Sequence, residues 1–254
     1  MTVTPGIGNQ HEQFAVERRA LYVIQHTDAE YLGLIEDHLE GRSIGFTYMR
    51  PHTAGGRLPA TVKFTDGVVL LGGGPWGSAG ERNLPTLEEE VQLVRDCMLR
   101  GAPVLGIGLG AQVLAMASGG SVRPAPLRFK MSVAHRTRDD ALNGYLPETF
   151  PIATYMRDAF EAPPHAEVLA IDEDGATAVF QVADNCFGFA AHPGLKGAMI
   201  EDLIMEFDES PDDIAEELAV LRQSQVAIED ALVSIMTGVV QKAGWMGEVA
   251  SGRL

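Results

Sequence analysis

Cysteine is scarce in this chain: two residues among 254, Cys97 and Cys186. Two thiols make neither a disulfide framework nor a recognisable metal-ligand spacing, so no metal and no cofactor is expected. Long hydrophobic runs are missing as well. Nothing approaches the ~20 apolar residues of a membrane span, and residues 1–19 are polar, without the apolar centre of a secretion signal. Positive charge is short, with 19 Lys and Arg against 35 Asp and Glu and a formal net charge of −16. That excess repels phosphate backbones and anionic lipid surfaces, which argues against nucleic acid and membrane as partners. A cytoplasmic location is the expectation.

What is present suits one sizeable core: 46% of residues are hydrophobic, and the length fits one α/β unit with an appendage. Residues 1–19 read as a loose arm. Leu21–Ile24 is a short apolar run and reads as a buried strand. Asp28 is placed to cap an amphipathic helix carrying Tyr31, Leu32, Leu34, Ile35 and Leu39. Strands follow at 44–48 and 68–71, then a glycine loop at Gly72-Gly73-Gly74-Pro75, a helix over 86–100 and another buried strand through Ile107. Strands alternating with helices imply an open, mostly parallel sheet with helices on both faces. Beyond Gly120, short pieces at Val122, Val133, 168–171, 178–180 and 187–189 suggest antiparallel additions beside that sheet. From Pro211 to about Gly244, Leu218, Leu221, Ile228, Leu232, Ile235 and Val239 recur at alternating three- and four-residue spacing. They predict a long C-terminal helix, packed along its own domain or offered to a second copy or a partner subunit. The expected divisions are an arm (1–19), a main domain (20–207) and a helical extension (208–254).

The chemistry-bearing stretch is 101–112, Gly-Ala-Pro-Val-Leu-Gly-Ile-Gly-Leu-Gly-Ala-Gln. An apolar strand runs into a small-residue turn and then a helix, the geometry that lifts a nucleophile above a parallel sheet. Gly106 to Ala111 also satisfies Gly-x-Gly-x-x-Ala, a dinucleotide fingerprint. It lies about a hundred residues into the domain, with no acidic residue on an obvious strand end some twenty positions later, so that reading is set aside.

This stretch resembles the nucleophile elbow of class I glutamine amidotransferases, Gly-Ile-Cys-Leu-Gly-Ala-Gln. The resemblance runs over roughly residues 20–207. It includes Leu70 to Pro75, similar to the family's oxyanion loop, and Phe189-Ala190-Ala191-His192-Pro193, similar to its catalytic histidine segment. It implies a flavodoxin-like α/β fold. In the family a cysteine attacks the amide of glutamine, a histidine moves the proton and two backbone N–H groups hold the oxyanion. By position His192 matches the base, and Gly73, Gly74 and the Leu109 amide match the oxyanion donors. Gln112 matches a substrate-contacting glutamine, and Asp158 the acid of a His-x-Asp element near the substrate mouth.

Four positions depart from the pattern. Gly108 stands where the cysteine would be, and Gly194 where the histidine's acidic partner would be. Met156 replaces the histidine of the His-x-Asp element. Arg128 and Lys130 fall where a pocket carboxylate is expected, and a cation there would repel the amino group of glutamine. Asp158, Glu201 and Asp202 are candidate stand-ins to orient His192. Each matched residue also has a plainer reading: His192 satisfied by backbone, Gln112 bonded to a neighbouring loop, 72–75 an ordinary turn. Cys97 and Cys186 read as small core residues.

Two readings of Gly108 stay open. The glycine belongs to a divergent amidotransferase-like protein that binds a γ-glutamyl small molecule or a synthetase-like subunit without hydrolysing anything. Otherwise it stands in for a nucleophilic cysteine, and the protein is a γ-glutamyl amide hydrolase or amidotransferase acting on glutamine or a larger amide. A homo-oligomer through the C-terminal helix is expected in either case.

Overall fold

The computed structural model describes residues 19–246. The expected N-terminal arm therefore lies, but for Arg19, outside the described residues. The apolar runs become the strands that the sequence suggests: β1 (Ala20–Ile24), β2 (Gly45–Met49), β3 (Gly67–Leu70) and β4 (Val104–Ile107). β3 and β4 are buried on both faces, as strands covered by helices must be. Seven more strands follow: β5 (Ser121–Arg123), β6 (Arg128–Arg136), β7 (Thr149–Met156), β8 (Ala159–Glu161), β9 (Glu167–Asp172), β10 (Thr177–Val182) and β11 (Cys186–Phe189). Nine strands form one sheet in the order β2-β1-β3-β4-β11-β10-β9-β6-β7, while β5 and β8 pair separately.

From β2 to β11 neighbouring strands are parallel. From β11 to β7 they are antiparallel. The 187–189 piece is thus not an antiparallel addition. After β10 the chain turns back at once and β11 inserts beside β4, in register from Cys186↔Val104 to Phe189↔Ile107. Cys186 therefore sits at the start of β11, at the opposite end of the sheet from the elbow after Ile107.

Among the described residues five α-helices cover the sheet: α1 (Ile35–Glu40), α2 (Leu87–Leu99), α3 (Leu109–Ala117), α4 (Gly197–Glu206) and α5 (Ile214–Lys242). The first is shorter than its periodicity predicts, and Asp28 does not cap it. Gly33 takes φ +61° where a Cβ would meet the Gly194 carbonyl at 2.3 Å. The adjacent Leu34 N–H donates to that same carbonyl (2.9 Å). This contact holds residues 28–34 as a turn and delays the helix to Ile35.

α2 and α3 pack on one face with Val68, Leu70, Val104 and Phe180. α1 and α5 take the other, with Val23, Leu71, Ile107 and Phe187. The six seam residues predicted for α5 are all buried, and the helix packs on β6 and β7 of its own chain. It spans 29 residues, about 43 Å at 1.5 Å per residue. Just past its end Trp245, 2% exposed, lies against Gly67, and its indole N–H donates to the Asp66 carbonyl (3.2 Å). This anchors the tail to the foot of β3. Trp245→Ala is expected to cost about 3–5 kcal/mol, the range for emptying a large aromatic site, read from urea unfolding. A loss below about 1 kcal/mol would mean that the tail lies outside the cooperative unit.

Candidate functional site

The carboxyl ends of β1, β3, β4 and β11 deliver the loops 25–34, 71–77, the elbow at 108 and 190–195 to one edge of the sheet. Open α/β sheets bind ligands at that edge. At the elbow Gly108 takes φ +56°, ψ −114° as N-cap of α3, a conformation glycine adopts without Cβ strain. Its N–H donates to the Phe189 carbonyl (2.8 Å). A Cβ placed on it would lie 3.4 Å from the Gly72 Cα and 3.9 Å from the Tyr155 carbonyl oxygen, so the position has room for a side chain. Gly110 has none: a Cβ there would meet the Leu70 carbonyl at 2.2 Å, which is how α3 lies so close to β3. Gly73 packs directly on Leu109, a Cβ there meeting its Cδ2 at 2.3 Å. Gly73 and Leu109 are therefore brought together beside Gly108, while a Cβ on Gly74 would face Leu203, Phe207 and Thr27.

The other predicted residues are spent on the protein itself. His192, 7% exposed, accepts the Gly194 N–H at Nδ1 (3.1 Å). Its proton is then on Nε2, which donates to the Tyr31 carbonyl (2.9 Å). The ring borders a cavity of about 10 Å³ shared with Phe189, Ala191 and Ile228, and burial pushes its pKa down to about 4. No proposed stand-in acid orients it. Asp158 accepts the N–H groups of Ser78 (2.8 Å), Ala79 (2.9 Å) and Ala125 (3.0 Å). Glu201 pairs with Arg222 (2.5 Å), and Asp202 is exposed. Gln112, fully buried, accepts the Ser78 hydroxyl and donates to the Arg157 carbonyl (2.7 Å). It ties the elbow helix to the two loops that Asp158 also joins. Arg128 and Lys130 do not line the site. Both are exposed on β6, and Lys130 pairs with Asp174 (2.5 Å), while the intervening Phe129 turns inward against Tyr155.

Among the buried residues that sequence reasoning passed over, His26, Glu30 and Glu90 are the ionisable ones around the glycine loop. The Glu30 carboxyl, 3% exposed, lies over Gly72 and accepts the Gly74 N–H. Burial raises its pKa to about 7, against the pull of that N–H and of His26. Beneath the loop, His26 bonds the Gly72 carbonyl through Nδ1 (2.9 Å) and Glu90 through Nε2 (2.9 Å). A carbonyl only accepts, so Nδ1 carries a proton, and a second proton lies between Nε2 and Glu90. Burial opposes a charged His26, but the charge and hydrogen bond of Glu90 outweigh it and raise its pKa. The signal for Glu90 was available, since it falls in register with Leu87, Val91 and Val94 on the apolar side of α2.

Farther out, the 207–213 connection places Glu209 against Arg82 (2.5 Å) and Arg157. Although burial works the other way, hydrogen bonds and charge from Arg157 and then Arg82 hold the Glu209 carboxyl below the ordinary range. The Tyr155 hydroxyl is buried with no hydrogen-bond partner among the described residues. Burial, then the charges of Glu30 and Glu209, push that phenol up.

The glutamine amidotransferase class-I family model matches residues 27–199. This chain belongs to that family. A glutamine-hydrolyzing GMP synthase of Cytophaga hutchinsonii is 27% identical over 170 residues, covering 65% of this chain and 31% of that protein. The match thus spans about a third of the length of that relative. A glutamine-hydrolyzing GMP synthase subunit from Ignicoccus hospitalis is 27% identical over 139 residues, 52% of this chain and 71% of its own. Among solved structures, a glutamine amido transferase from Methylobacillus flagellatus superposes with a TM-score of 0.75 at 23% identity, covering 91% of this chain and 96% of that one.

The His192 environment sets a pH dependence. Its folded pKa lies below the ordinary 6.5, so its contribution to stability is present above 6.5 and lost as pH falls through about 4. The contribution lost is about 3 kcal/mol. Imidazole NMR is expected to show a neutral ring with Nε2–H from pH 8 to about 5, and the stability gap between wild type and His192→Ala to narrow below pH 6. A midpoint near 6.5 would contradict the buried, backbone-bonded ring.

Proposed function

We propose that this protein is a divergent class I amidotransferase-like protein without ordinary glutaminase activity, whose altered γ-glutamyl amide site serves binding or assembly. The observation that carries this reading is Gly108 at the elbow, the position that resembles the family's nucleophile. A glycine has no atom that could form a thioester. Two further features point the same way. Both ring nitrogens of His192 are engaged by backbone groups, so neither is left to take a proton from a nucleophile. The Gly74 N–H, an oxyanion donor by resemblance, is occupied by Glu30.

A second reading has its own support. The space at Gly108 admits a Cβ without a close contact, so a γ-glutamyl amide hydrolase lacking only its thiol would have the same elbow. The Ignicoccus relative is named as one subunit of a synthase, which favours a synthetase-like partner. With its apolar seam inside the core, α5 would meet that partner or a second copy through its outer face, where Val226 and Val233 are exposed. Both fit a cytoplasmic protein of strong negative charge. Among the described residues no helix is long and apolar enough to cross a membrane.

The test is ammonia or amine release from glutamine and from γ-glutamyl amides of larger amines. The unmodified chain is expected to release none. Gly108→Cys, shown folded, is expected to remain silent as well, because His192 and Glu30 stay as they are. Release by the unmodified chain would refute the proposal. Release by Gly108→Cys alone would establish the hydrolase reading, and the preferred amide would name its substrate class.

A further inference from the structure

The geometry points to a receptor for small-molecule monocarboxylates at the mouth of the cleft, built from Arg82 and Arg157 and filled by the chain's own Glu209. Two guanidinium groups converge on this one carboxylate, Arg82 on Oε2 and Arg157 on Oε1. Planar guanidinium forks suit a carboxylate better than any other common anion except phosphate. What marks Glu209 as the replaceable member is how each partner is held. Arg157 is fixed by the Pro75 carbonyl, which accepts its Nε–H (2.6 Å), and its side chain is 16% exposed. Arg82 stacks over Trp76 (5.3 Å) and Phe207 (5.8 Å). Of these supports, the Pro75 carbonyl and Trp76 lie outside the connection that carries Glu209, so each cation keeps one of them if Glu209 withdraws. Glu209 sits on an irregular connection between α4 and α5, its side chain 41% exposed.

The surroundings narrow the ligand. The arginines border an open cleft of about 780 Å³ whose other walls include Ala79, Gly80, Pro124 and Pro126. Asp158 also borders it, but its oxygens are taken by three backbone N–H groups, so it does not compete for the arginines. Glu81 stands on the same wall, and its charge disfavours a second anionic group on the ligand. This site does not depend on whether any amide is bound or turned over at the elbow.

The test follows the arginine side-chain Nε–H signals of the full chain by NMR during titration with sodium acetate, with sodium chloride at equal ionic strength as the blank. A self-ligand lowers apparent affinity by the fraction of time it occupies the site. Glu209→Gln and Glu209→Ala are therefore expected to bind acetate about tenfold more tightly than the unmodified chain, with saturable shifts at Arg82 and Arg157. Succinate dianion is expected to bind no better than acetate. Adding Arg157→Leu to Glu209→Ala is expected to abolish saturation. Equal affinity with and without Glu209, shifts that never saturate, or shifts that survive Arg157→Leu would overturn the proposal. Ammonia release would remain a separate readout of the elbow.

Discussion

The site turns on a buried carboxyl meeting a backbone N–H: Glu30 against Gly74. A charged carboxylate out of water is costly unless it is paired or hydrogen-bonded, and the surrounding loops are arranged around this one. The turn at 28–34, held by the Leu34 contact to Gly194, carries Glu30 inward. His26, from the same loop, holds the Gly72 carbonyl and is itself held by Glu90. The glycine loop is thus clamped from above by one acid and from below by a histidine that a second acid supports. Removing one partner of such a buried pair costs about 3–5 kcal/mol, because the other is left unpaired.

The same economy explains the rest of the edge. Parallel strands end here with unpaired backbone groups and loops of sharp curvature, which is why the site forms here. In this chain the available polar groups have mostly found internal partners. His192 takes backbone at both nitrogens, Gln112 bonds a hydroxyl and a carbonyl, and Asp158 takes three N–H groups. A site spent on its own side chains is rigid and specific, but it offers little to a reacting amide. The arginine pair at the mouth follows the same pattern with a partner that sits on an irregular connection.

Much of the frame was legible. Apolar runs of four or five residues mark β1, β3 and β4 because strands covered on both faces need unbroken hydrophobicity. The seam of α5 was legible as one apolar side because residues at that spacing share a helix face, but the spacing alone left open whether its own domain or another chain covers it. The elbow was legible from its glycines and the apolar run before it. Periodicity misled where tertiary contact overrode it, at Gly33, and where one hairpin return placed β11 inside the parallel half. Glu90 could have been found as an acid in a core register. Glu30 and Glu209 could not, since a carboxylate in a turn looks the same whether it faces water or a loop amide. Arg128 and Lys130 were misassigned because a strand alternates faces, and the inward residue of that segment is Phe129.

The most direct measurement is a pH titration of the Glu30 side-chain carboxyl by carbon NMR, with the Gly74 amide proton followed in the same samples. The expected result is a midpoint near 7, as burial requires, and a Gly74 amide shift that moves with it. A midpoint near 4.5 with a silent Gly74 amide would mean that Glu30 faces water. The glycine loop would then be free to receive an outside oxyanion, and the internally satisfied site described here would be contradicted.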